Sequence, residues 1–284
     1  MKRTLNNFVD REMLSLIEGV AFANVPAWYG ATRRDLKMDV IAPKEREGHA
    51  PMPLIVWICG GAYRCVDRAV WLPQFLPLAR RGYVIAGIEY RTVGEGDVRD
   101  AYCDVKAAIR YLKAHAAEYC IDPGRIAVAG ESGGGTLATF AGACPAFSEF
   151  DRGDFLEYGS DVQAVVDFYG IVDYARDPFL TDGRDVPPFL LEDFLGLGYT
   201  QEEARRLSPI SFVSADTPPF LIFHGNRDIR VPIAQSERLY DALQKAGVRA
   251  DYYVVDGAGH GDASFYQDEK LEIVAAFLEE AFKR

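Results

Sequence analysis

Histidine is scarce in this chain: four in 284 residues, at positions 49, 115, 224 and 260. Any chemistry that needs an imidazole base has few places to find one. Cysteine is nearly as sparse. Cys59, Cys65, Cys103, Cys120 and Cys144 are odd in number and nowhere show the Cys-x-x-Cys spacing of a zinc or dithiol site. Free, mostly buried thiols in a reducing, cytoplasmic setting are therefore expected. Acidic residues do not cluster with histidines at ligand spacing, so neither a metal nor an organic cofactor is implied. Long apolar runs are missing too, none approaching the about 20 residues that cross a bilayer. Met1-Lys2-Arg3 could open a secretory leader, but Asp10, Arg11, Glu12 and Glu18 interrupt the apolar stretch a leader needs. Positive charge is in deficit, 31 basic against 42 acidic residues for a net −11. Such a field repels phosphate backbones and anionic lipid, which argues against nucleic-acid and membrane partners.

What is present is a regular alternation. Apolar runs of strand length at 54–58, 84–88, 126–129, 164–169, 220–223 and 252–255 are separated by segments of helical periodicity. The helical segments lie at 74–81, 98–114, 133–143, 233–246 and 268–282, with Val105, Ala108, Ile109 and Leu112 at three- and four-residue spacing in the second. This pattern predicts an α/β fold, a mostly parallel central sheet with helices on both faces. Segments 19–23 and 36–41 predict an antiparallel pair at one sheet edge. From 173 to 215 the alternation breaks into Pro178, Pro187, Pro188, Phe189, Phe194, Leu195, Tyr199 and Pro209. A long apolar insertion of this kind predicts a small cap over the site. No repeat, low-complexity tract or Gly/Ser linker divides the chain, so a single domain over 1–284 is expected.

The densest chemical signal is Gly130-Glu131-Ser132-Gly133-Gly134, between the apolar run 126–129 and a helix-favouring segment. Strand, serine, helix is the order of a nucleophile elbow, whose glycines let two backbone segments pass closely enough to lift the hydroxyl clear. A serine hydroxyl is a weak nucleophile and needs a base with a carboxylate to orient it. His49 lies in a charged loop and His115 near a helix end, both most simply solvent-exposed, while His224 closes a buried strand as a structural histidine would. His260 sits in the glycine-dense loop 256–261 after the last strand, at the carboxyl end of the sheet where parallel sheets place ligands. Asp228 falls just beyond the preceding strand. Asp167 and Asp173 compete for its role, and Asp228 could instead be a turn carboxylate. Ile58-Cys59-Gly60-Gly61-Ala62-Tyr63 is a strand-to-loop junction of small residues whose amides are accessible to an oxyanion.

The order Ser132, Asp228, His260 resembles the α/β-hydrolase triad. The junction at 58–63 is similar to the His-Gly-Gly-Gly or His-Gly-Gly-x-Trp motif of hormone-sensitive-lipase-like and acetylxylan/feruloyl esterase-like enzymes. Tyr90-Arg91, 122–126, Asp167-Phe168-Tyr169-Gly170, 208–210, 218–220 and Asp228 with Val231-Pro232 extend the likeness over nearly the whole chain. The resemblance implies an α/β-hydrolase fold and a serine hydrolase with an oxyanion hole of the Gly61, Ala62 and Gly133 amides. Two positions depart from the motif: Cys59 stands where the family has histidine, and Ala62 where it often has glycine. The family histidine holds the loop, so its loss bears on the loop's hydrogen bonding rather than on the triad. A second reading makes Cys59 another nucleophile or redox handle.

Tyr63, Trp71, Phe194 and Tyr199, with Trp28, Tyr29 and Phe189, are either core packing or the rim of a substrate pocket. With the family likeness, the expected partner is a small-molecule ester, short-chain or aromatic, on acylated plant-carbohydrate fragments of the acetyl or feruloyl type. The alternatives are an amidase of the kynurenine-formamidase-like or small peptidase-like type and a non-catalytic ligand-binding module. Homo-oligomerisation is left open by the sequence.

Overall fold

The structure is a computed structural model that describes residues 1, 3–5, 7, 11–27, 30–144, 147–176 and 189–283. Trp28, Tyr29, Pro178, Pro187 and Pro188 lie outside the described residues, as does the side chain of Phe189. The strands are β1 (Leu14–Ala27), β2 (Thr32–Pro43), β3 (Met52–Ile58), β4 (Val84–Ile88), β5 (Ile121–Glu131), β6 (Ala164–Phe168), β7 (Phe220–Gly225) and β8 (Ala250–Val255). They form one sheet in the order β1-β2-β4-β3-β5-β6-β7-β8. β1 pairs β2 and β2 pairs β4 in antiparallel fashion, and every pairing from β4 to β8 is parallel.

Side chains alternate across this sheet as strand geometry requires. Leu54, Val56 and Ile58 join the core on one face, while Ile55 and Trp57 join the other. The first face is covered by α2 (Val98–Ala114), α4 (Gly133–Ala143) and α7 (Ala234–Lys245), the second by α1 (Leu76–Arg80) and α8 (Asp268–Ala281). A short α3 (Ala116–Tyr119) precedes β5, and α5 (Phe189–Leu195) and α6 (Gln201–Leu207) lie between β6 and β7. α2 starts sharply because Asp97 accepts the Arg99 and Asp100 N–H groups while Asp100 takes the Asp97 N–H in return.

Several boundaries differ from the sequence reading. The helix expected at 74–81 is a 3₁₀ turn, Leu72–Phe75, followed by α1. Pro77, with no N–H to donate, interrupts the ladder and restarts it as α1. The edge pair expected at 19–23 and 36–41 runs the full length of β1 and β2, with register shifts between Ile17 and Val20 and between Ala21 and Ala23 that break the two-residue period. β5 begins at Ile121, ahead of the expected 126. Four of the five thiols are buried and Cys65 is exposed, all free. Among the described residues no helix is long and apolar enough to cross a membrane.

Candidate active site

β5 delivers the chain to Ser132, and α4 carries it away. Ser132 has φ 53° and ψ −121°, a conformation that costs an L-residue about 1–3 kcal/mol and persists only where the surroundings impose it. A Cβ on Gly130 would collide with the Gly134 carbonyl, and one on Gly134 with the Ile58 carbonyl, so only glycine allows the crossing of β5, α4 and β3. The Ser132 N–H is tied to the Phe168 carbonyl at 2.9 Å.

His260 reaches Ser132 from the loop after β8. Its Nε2 lies 2.9 Å from Ser132 Oγ and its Nδ1 2.7 Å from Asp228 Oδ2. The carboxylate can only accept, so Nδ1 carries the proton and Nε2 is left to accept from the serine hydroxyl. Asp228 Oδ1 receives the N–H groups of Arg230 at 2.8 Å and Val231 at 2.9 Å. The turn role and the partnership with His260 therefore coexist in one side chain. Burial alone would raise the Asp228 carboxyl, but hydrogen bonds from His224, His260 and the Arg230 N–H outweigh it and hold it well below the usual carboxylate range. A hydroxyl bonded to an imidazole nitrogen, with the other nitrogen held by a carboxylate, can lose its proton as its oxygen attacks an electrophile.

His224 is fully buried, as expected, but it does more than brace its strand. Its Nε2 lies 3.1 Å from the Val231 carbonyl and 3.4 Å from Asp228 Oδ2, and its Nδ1 lies 2.7 Å from Ser236 Oγ. Two acceptors at Nε2 place the proton there, so Ser236 donates to Nδ1. The rival acids lie elsewhere. Asp173 Oδ1 caps the Ala175 N–H, and Asp167 is buried in β6 with Oδ1 accepting from Gly170. Burial pushes the Asp167 carboxyl up to about 7, against the opposing pull of His224 and the Gly170 N–H. His49 and His115 are half-buried rather than exposed: His49 pairs with Glu12, and the His115 ring stacks on Tyr111.

The small-residue junction lies beside the elbow. A Cβ on Gly60 would fall 2.9 Å from Ser132 Cβ, and one on Gly133 3.0 Å from the Tyr63 ring. Gly61, Ala62 and Tyr63 take φ values of 129°, 52° and 58° in succession. Gly133 opens α4, so its N–H is among those at a helix start that lack an intrahelical acceptor. Cys59 anchors the loop: burial pushes its thiol up to about 12, which disfavours the reactive thiolate, its sulfur receives the Asp67 N–H at 3.3 Å, and its carbonyl accepts from Tyr90 OH at 3.1 Å.

Of the four aromatic candidates, Tyr63 and Phe194 meet at the site, their rings stacked at 3.4 Å between centroids with Arg64 and Asp193 paired beside them. Trp71, at φ 66°, stacks on Tyr266 at 4.1 Å. Tyr199 is half-buried against the sheet core in the turn between α5 and α6. Sequence reasoning missed Tyr169, whose ring meets His260 edge-on at 4.9 Å and whose hydroxyl donates to Glu131 Oε2 at 3.1 Å. Glu131 itself was passed over as the unspecified residue of the elbow motif. Among the described residues no three His, Cys, Asp or Glu side chains gather as a metal site would require.

The fold and this geometry define the α/β-hydrolase class. Residues 38–243 match the BD-FAE family, and the chain belongs to that family of α/β-hydrolase esterases. It is 32% identical over 232 residues to the "Probable carboxylic ester hydrolase LipM" of Mycobacterium tuberculosis, covering 79% of this chain and 52% of that protein. The chain spans about half the length of the curated relatives it matches. Among solved structures, a truncated carbohydrate esterase from gut microbiota superposes with a TM-score of 0.81 at 29% identity, covering 97% of this chain and 98% of that one. Propionate-bound esterase Est2 of Thermogutta terrifontis superposes with a TM-score of 0.73 at 28% identity over 91% and 94% of the two chains.

Proposed function

We propose that this protein is a serine carboxylesterase in which Ser132 is the nucleophile, His260 the base and Asp228 the orienting acid. The observation that carries the reading is the unbroken hydrogen-bonded chain from Ser132 Oγ through His260 to Asp228, drawn from three separate loops at the carboxyl ends of parallel strands. Ser132 Oγ attacks the ester carbonyl carbon as its proton passes to His260 Nε2. The carbonyl oxygen becomes an oxyanion received by the N–H groups of Gly61, Ala62 and Gly133. Collapse breaks the bond to the alcohol, which leaves with the proton from His260, and water repeats the sequence to free the acid and restore Ser132.

The substrate within this reading is a short-chain or aromatic acyl ester, on acylated plant-carbohydrate fragments of the acetyl or feruloyl type. Support comes from the carbohydrate esterase and propionate-bound neighbours, and from the Tyr63 ring, which lies against Gly133, the residue after the serine, so closely that a Cβ there would meet it at 3.0 Å. Tyr63, Phe194 and Trp71 would border the acyl and sugar positions, with α5 and α6 of the insertion serving as the cap.

The test is organophosphate labelling followed by a substrate panel. The label is expected on Ser132, and Ser132→Ala and Asp228→Asn are each expected to lower turnover on the order of 10⁴-fold. Asp173→Asn is expected to keep parental turnover. In the panel, acetyl, butyryl and feruloyl esters should exceed an octanoyl ester and a formamide. Label on another residue overturns the mechanism, and a formamide at the head of the ranking overturns the substrate class.

A further inference from the structure

The loop that carries Gly61 and Ala62 is held in a left-handed run of three residues, a conformation that relaxes unless its neighbours over-determine it. In the motif this chain resembles, a histidine holds that loop, and here Cys59 occupies its position. The Cys59 sulfur fastens the loop to Asp67 and its carbonyl to Tyr90, while Val93 donates to the Tyr63 carbonyl at 2.7 Å. None of these tethers reaches the elbow. Glu131, the residue before Ser132, does: its Oε1 accepts the buried Gly60 N–H at 2.9 Å.

The other oxygen of the same carboxyl faces the base. Tyr169 spends its proton on Glu131 Oε2, so Tyr266 OH donates in turn to Tyr169 OH across 2.9 Å. Tyr169 itself stands at φ 46° with its ring edge against His260. Among the described residues, five of the seven non-glycine residues with positive φ, namely Ala62, Tyr63, Trp71, Ser132 and Tyr169, lie along this chain of contacts. We infer that Glu131 is a positioning residue that seats the oxyanion loop through Gly60 and steadies His260 through Tyr169. The carboxyl touches no reacting atom; it acts by fixing where the amides and the imidazole stand.

The inference rests on Ser132 being the nucleophile, so the test pairs Glu131 variants with Ser132→Ala. Glu131→Leu removes both contacts. It is expected to lower kcat on p-nitrophenyl acetate by about 10- to 100-fold, approaching the loss of one oxyanion donor, with KM unchanged and Tm lowered because the buried Gly60 N–H loses its acceptor. Glu131→Gln is expected to restore most of kcat, because its amide oxygen can accept from Gly60 while its NH₂ faces Tyr169. Tyr169→Phe, which keeps the ring on His260 and loses the hydroxyl, should fall between them. Parental kcat in Glu131→Leu, a kcat loss that Glu131→Gln does not restore, or a loss that appears only in KM overturns the inference. Inactive Ser132→Ala with fully active Glu131→Leu removes this inference alone, whereas active Ser132→Ala removes the nucleophile assignment itself.

Discussion

Two buried aspartates within reach of His224 have opposite electrostatic fates. Asp228 is surrounded by donors and favours its charged form, so it contributes stability above the ordinary carboxylate pKa that is lost as pH falls through its depressed value. Asp167 receives one backbone N–H, and its second oxygen has no hydrogen-bond partner among the described residues. Its folded pKa of about 7 lies above its unfolded one, so the folded state holds a proton that the unfolded chain has released. Between about pH 4 and 7 this group makes folding less favourable as pH rises, and above that it adds no further slope. Asp167→Asn is therefore expected to gain stability relative to the parent as pH is raised through this window, read by urea unfolding at several pH values. A gap that stays constant with pH would show that Asp167 does not titrate there. Sequence alone distinguished these aspartates only by position relative to their strands. The partnership of Glu131 with Gly60, 71 residues away, has no local signature.

Elements with a strong period were legible to the residue. α2 and α4 occupy the expected 98–114 and 133–143, because α2 carries a three- and four-residue apolar stripe behind a capping box, and α4 is a run of small and apolar residues, buried on all sides, that follows directly on the elbow glycines. Legibility failed where geometry departs from one period: at the bulges of β1, at the proline break before α1, and in the outer part of β2, where Arg33, Arg34 and Asp35 hide the strand signal. α5 matters most among the less regular elements, since Phe194 on it covers Tyr63 of the loop beside Ser132. Phe194→Ala is expected to cost about 3–5 kcal/mol of stability, as truncating a buried aromatic does, and also to raise the relative rate on longer acyl esters by opening that side of the pocket. The ratio of octanoyl to acetyl turnover measures it. An unchanged ratio with lowered stability would assign α5 to packing and remove the insertion from substrate selection.

At the scale of the molecule the net charge of −11 surrounds a site whose proposed substrate is neutral. A field of that sign leaves uncharged esters unaffected and repels anionic ones, and salt screens it over a Debye length of about 10 Å at 0.1 M. The second-order rate kcat/KM on a carboxylate-bearing ester is therefore expected to rise between low and moderate ionic strength, while that on its neutral analogue stays level. Equal salt responses would mean that the field does not reach the approach to Ser132.

The order of strands carries a further consequence, for how the molecule comes into being. From β5 onward each strand lies beside its predecessor, β6 on β5, β7 on β6 and β8 on β7. A nascent polypeptide leaving the ribosome can thus lengthen the sheet outward as it is made, each new strand finding a finished edge to dock on. The elbow of Ser132 can be complete while Asp228 and His260 are still untranslated. On the proposed mechanism the serine therefore stays an ordinary hydroxyl during synthesis, until β8 docks on β7 and the loop that bears His260 comes within reach of it.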